Sequence, residues 1–68
     1  MTRDALIRAL RRYARRRGLA LAVDRQRGKG SHFRVRLGEA VTTIQSGDLS
    51  PFHVDRICRQ LKVAVSDL

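Results

Sequence analysis

The chain is poor in the residues that small proteins use as staples. It has one cysteine, Cys58, so no disulfide can close within it, and no paired Cys and His spacing of a zinc site is present. Tryptophan is absent, and the aromatics are Tyr13, Phe33 and Phe52 alone, too few for a platform on which single-stranded bases stack. No apolar run comes near the ~20 residues of a membrane span. No Gly-rich loop is followed by the Lys-Ser/Thr that cradles nucleotide phosphates. The six carboxylates are scattered singly, and no Ser, His and Asp set stands out. At 68 residues the chain has room for one domain, 1–68, and a domain this short buries only about 60% of its unfolded surface. It cannot enclose a deep catalytic cavity or a large cofactor, so chemistry is expected at the surface, with no metal and no cofactor.

What the chain has in excess is arginine. Thirteen Arg and two Lys stand against six Asp and Glu, for a net charge of +9. The planar fork of arginine matches phosphate oxygens, and self-repulsion of this size calls for an anionic partner, which points to nucleic acid ahead of a merely solvated coat. The first eighteen residues carry charge throughout, without the apolar core or cleavage site of a secretion signal. With the unpaired cysteine, this predicts a cytoplasmic protein with no membrane segment.

From Thr2 to Arg17, Leu6, Ile7, Leu10, Tyr13 and Ala14 recur at helical spacing, Thr2 and Asp4 favour the first turn, and Gly18 ends the helix. Arg8, Arg11, Arg12, Arg15 and Arg16 make its polar side. The period then changes to two: Leu19, Leu21 and Val23 alternate with Ala20, Ala22 and Asp24 in a first strand. Arg25 to Gly30 reads as a basic turn with two glycines. A second strand is predicted over 31–37, with Phe33, Val35 and Leu37 on one face and His32, Arg34 and Arg36 on the other. Gly38-Glu39 turns the chain into a third strand, Ala40 to Gln45. Ser50-Pro51 starts a second helix between Ser50 and His53, with Val54, Ile57, Cys58 and Leu61 along one stripe. Phe52 falls off that stripe if the helix is regular from Pro51, which predicts a start one or two residues later. The tail from Ala64 adds one turn near Ser66 or frays. The fold class is α+β: helix, three-stranded antiparallel sheet, helix, both helices on one sheet face and the other face open.

On that open face the alternation places His32, Arg34 and Arg36 in a row. An unperturbed imidazole titrates near neutrality, so it can take and return a proton at physiological pH. RNA offers a matching target, because a 2′-hydroxyl that loses its proton attacks the adjacent phosphorus while nearby cations hold the phosphoryl charge. Lys29, Arg34 and Arg36 are the candidate phosphate holders beside His32, joined by Arg25 and Arg27 of the basic turn and by Gly30 and Ser31 at the strand entry. His53 reads as a packing or capping residue, Tyr13 as core, and Cys58 as a small buried hydrophobe. A non-catalytic RNA- or DNA-binding module using the helix arginines and the 25–29 segment is the alternative, and a basic subunit docked on an acidic protein is a third.

The run Lys29-Gly30-Ser31-His32, the alternating strand after it, the Val/Thr-rich third strand and the helix ending Ile57-Cys58-Arg59-Gln60-Leu61 together resemble the HicA toxin family. The likeness covers nearly the whole chain in length and element order, while its specific part is the short Gly-Ser-His triplet. It implies a fold like the double-stranded-RNA-binding domain and the activity of an mRNA interferase, an endoribonuclease of a type II toxin-antitoxin pair. It also implies that His32 is the catalytic residue, and that an acidic HicB-like antitoxin blocks the His32 face. The third strand here runs into Thr43-Ile44-Gln45-Ser46-Gly47, without the Val-Pro and nearby histidine usual in that family.

Overall fold

Thr2 opens the first helix by accepting a hydrogen bond from the Ala5 amide on its hydroxyl, at 3.1 Å, and Gly18 closes it in the left-handed region at φ +68°. Between them runs α1, Arg3–Arg17, whose buried stripe is Leu6, Ile7, Ala9, Leu10, Tyr13 and Ala14. The computed structural model describes residues 1–25 and 32–68. After α1 come β1 (Leu21–Asp24), β2 (Phe33–Leu37), β3 (Ala40–Ile44), α2 (Pro51–Gln60) and a short 3₁₀ turn, Val65–Asp67.

The strands form one antiparallel sheet in the order β1-β2-β3. Leu21 pairs with Leu37 and Val23 with Val35, while Val35 pairs in turn with Thr42 and Phe33 with Ile44. Because side chains alternate, this register collects the apolar positions of all three strands on one face. Gly38, at φ +60°, is the first of the two residues linking β2 to β3, a conformation that glycine adopts without a Cβ clash.

Leu6, Leu10, Val35, Ile44, Leu49, Ile57 and Cys58 are wholly buried and belong to one core cluster drawn from both helices, the sheet and the segment before α2. Among the described residues, Thr42 is the one buried polar residue, and its hydroxyl donates to Oε1 of Gln60 on α2. A buried hydroxyl needs such a partner. The opposite set of sheet residues, Ala22, Asp24, Arg34, Arg36, Val41 and Thr43, is exposed.

The structure differs from the sequence reading at several ends. β1 begins at Leu21, since Leu19 and Ala20 serve the turn out of α1: Leu19 N–H donates to Ala14 C=O, and Ala20 C=O accepts from Gly38. β2 begins at Phe33, so His32 precedes the ladder, and Ser31 lies outside the described residues. α2 is regular from Pro51, with Ser50 as its cap, and Phe52 is left 75% exposed because it is off the buried stripe. The last turn begins at Val65, ahead of the expected Ser66. The segment from Ser46 to Ser50 also does more than turn. Arg3 N–H donates to Gly47 C=O, Leu49 N–H to Met1 C=O, and Thr2 pairs with Asp48, which ties the starts of the two helices together.

Candidate nucleic-acid interface

The exposed sheet face is broad and charged. Arg34 and Arg36 project from alternate positions of β2, the central strand, and successive same-face positions on a strand lie about 6.6 Å apart. They line an open concavity of about 840 Å³ together with Arg25 at the end of β1, Arg11 of α1, Ala22, Val23, Asp24 and Val41. Four arginines from three parts of the chain thus converge on one surface. Fields from like charges add over such a surface, so it attracts polyanions more than any one of these side chains would.

His32 is exposed and stands one residue ahead of β2. It is not among the residues lining the concavity. The expected row of His32, Arg34 and Arg36 is therefore shorter than the alternation implied: Arg34 and Arg36 share the exposed face, and His32 sits at the strand entry, outside the ladder. Arg27, Lys29, Gly30 and Ser31 lie outside the described residues.

The entry of β2 is held by cation–π contacts. The Arg3 guanidinium stacks 3.5 Å from the centroid of the Phe33 ring, and that of Arg25 lies 5.7 Å from it. Phe33 is half-buried against the core. One ring next to His32 thus gathers side chains from the start of α1, the end of β1 and the start of β2. Contacts of this kind contribute about 0.5–1 kcal/mol each where exposed.

Sequence reasoning missed two participants. Asp24 pairs with Arg34 across β1 and β2 and lines the concavity, a position that its parity with Ala22 already carried. Arg11 was grouped with the other α1 arginines, and nothing in a helical repeat shows which of them reaches a sheet. Others of that group have structural work. The Arg16 guanidinium donates to Asp67 C=O at 2.7 Å, and that of Arg17 stands 3.6 Å from the Asp67 carboxylate and 5.2 Å from the Tyr13 ring centroid.

Among the described residues, His53 and Cys58 have structural places. Ser50 Oγ lies 3.0 Å from Nδ1 of His53 and accepts from the His53 amide at 3.2 Å, so His53 belongs to the cap of α2. Cys58 is buried, and burial pushes its thiol up from the ordinary value of 9.0, with the Asp55 charge adding to the rise. A thiol held protonated in this way is a poor nucleophile. Among the described residues, no three His, Cys, Asp or Glu side chains come together as a metal site, and no helix is long and apolar enough to cross a membrane. No known family model matches the chain, and no curated protein or solved structure matches it either.

Proposed function

We propose that the protein is a small endoribonuclease of the toxin-antitoxin type, acting on messenger RNA in the cytoplasm. The observation that carries this reading is the exposed His32 placed directly ahead of a central strand whose outward side chains are Arg34 and Arg36. RNA lies over the arginine-lined face, and the imidazole of His32 takes the proton of a 2′-hydroxyl. O2′ then attacks phosphorus, the P–O2′ bond forms, and the P–O5′ bond breaks with its electron pair going to O5′. That oxygen takes a proton from the imidazolium or from water. The guanidinium groups hold the charge that builds on the phosphoryl oxygens. The cleaved ends are a 2′,3′-cyclic phosphate and a free 5′-hydroxyl. An exposed basic face of this kind is also what an acidic antitoxin of HicB type would cover, since opposite fields steer association.

Incubating the purified protein with RNA in the presence of a chelator tests the reading. The native chain should generate cyclic-phosphate ends, and His32→Ala should cut at least about a hundredfold more slowly while keeping its circular-dichroism spectrum. RNA left intact by the native chain, with both proteins equally harmless on expression, rejects cleavage.

One observation favours a second reading. The concavity draws on Arg11, Arg25, Arg34 and Arg36 without His32, which is what a non-catalytic RNA- or DNA-binding module needs. The same incubation separates the two, because that module binds RNA, leaves it uncut and is indifferent to His32→Ala.

A further inference from the structure

Between Arg8 and Arg15 every exposed side chain of α1 is an arginine: Arg8, Arg11, Arg12 and Arg15. The other residues of that stretch are buried. Arg11 also lines the sheet-face concavity, and the other three do not. Arg16 and Arg17 are held by Asp67. Among the described residues, Arg8, Arg12 and Arg15 enter no ion pair and donate no side-chain hydrogen bond. Arg8 stands three and four residues from Arg11 and Arg12, and Arg15 stands four and three from the same two, so like charges meet along the whole face and destabilise the helix. Charge placed at that cost, and left without a partner inside the chain, calls for an anion outside it.

The make-up of the face selects the anion. A protein interface has an apolar core from which charged residues are depleted, and no exposed apolar side chain stands among these arginines. A helix that lies on a membrane turns its apolar side to the lipid, and that side of α1 is buried in the core. Single strands are held by stacking on aromatic rings, whereas the one aromatic residue of α1, Tyr13, is buried. A duplex needs none of these, because its interfaces are polar and strongly cationic. The form of the duplex then decides. An α-helix with its side chains is about 10–12 Å across, and the major groove of B-form DNA is about 12 Å wide. The A-form major groove is too deep and narrow for side chains to enter. Arg8 and Arg15 are about 10 Å apart along the axis, with Arg11 and Arg12 on either side of the line that joins them, so cations face both walls of such a groove.

We propose that the outward face of α1 is a second nucleic-acid site, separate from the sheet face, which docks against the major groove of duplex DNA and holds it through the phosphates. Contacts of this kind position a protein on DNA without reading its sequence. The site needs neither His32 nor the arginines of β2, so it stands or falls apart from the RNA-cleaving reading.

The test is fluorescence anisotropy with a DNA duplex of about two helical turns, the RNA duplex of the same sequence, and one DNA strand alone. The native chain should hold the DNA duplex about tenfold more tightly than either of the others. Each arginine that neutralises a phosphate contributes about 0.9 to the slope of log Kd against log salt, so a triple variant carrying Arg8→Ala, Arg12→Ala and Arg15→Ala should lose about 2.7 of it. The corresponding Arg8→Gln, Arg12→Gln and Arg15→Gln variant, which keeps longer side chains, should lose the same. Both should match the native chain in circular dichroism and be at least as resistant to urea, since like charges have been removed. Arg34→Ala with Arg36→Ala should leave the duplex slope unchanged. An equal loss from the sheet pair, or no loss from the triple variants, overturns the inference. So does an RNA duplex bound as tightly as the DNA and weakened as much by the triple variants, which makes the groove argument wrong. Displacement of the duplex by polyglutamate at equal charge concentration overturns it too, in favour of an acidic protein. A native chain that binds no duplex rejects the site and leaves the RNA reading standing, because RNA cleavage by the triple variants should equal that of the native chain.

Discussion

His32 and His53 have the same chemistry and differ in their neighbours. Ser50 holds the ring of His53 at the start of α2, whereas His32 is exposed at the entry of β2. Sequence alone separated the two, because Ser50-Pro51 announces a helix start and an alternating run announces a strand. Cys58 was equally legible from its place in the α2 stripe, and its burial has a measurable consequence. With the thiol raised in the folded state, the unfolded chain gives up its proton first as pH climbs past the ordinary value of 9.0. Unfolded chains then bind fewer protons than folded ones, so stability is retained below that pH and declines above it. Urea denaturation at pH 8 and pH 10 should show the native chain losing more stability than Cys58→Ala over that interval. An equal loss in the two proteins would mean that the thiol does not take part.

At the scale of elements, helix caps were easier to read than strand starts, since β1 and β2 both begin later than the alternation predicts. Thr2 and Ser50 are both side-chain caps, and Gly18 supplies the left-handed residue that ends α1. α2 ends without a glycine. Lys62 takes φ +61°, its N–H donates to Arg59 C=O, and Val63 N–H donates to Cys58 C=O. This is the Schellman pattern, completed by the buried Val63. A side chain in that conformation costs about 1–2 kcal/mol, of which glycine's greater freedom in the unfolded chain returns roughly half. Lys62→Gly should therefore stabilise the protein by about 0.5–1 kcal/mol in chemical denaturation, and Ser50→Ala should cost about 1 kcal/mol. The end of α2 at Leu61 was read within a residue, but the left-handed turn at Lys62 was not, because it goes with burial of Val63, and burial is not a local property. The same holds for the pairing of residues 1–3 with 47–49, which joins segments that no short-range signal connects.

For the whole molecule the charge asymmetry has a numerical consequence. If the four arginines of the sheet face each neutralise one phosphate, log Kd for single-stranded RNA should change with log salt at a slope of magnitude about 3. Arg34→Ala and Arg36→Ala should each reduce it by about 0.7. Arg8→Ala, on α1 and outside that lining, should leave it unaltered, and an equal reduction there would spread the binding surface over the whole basic coat. Sequence by itself determined the order of elements, the antiparallel sheet and the division of β2 into an apolar and a cationic face, because these follow from side-chain period, caps and turn residues within a few positions. Only the tertiary structure decided which arginines gather. Arg11 joins the sheet face, Arg16 and Arg17 are drawn to Asp67, and Asp24 is set beside Arg34. Those outcomes depend on strand register and on how α1 sits against β1. Both are fixed by burial of the shared core, to which residues from one end of the chain to the other contribute.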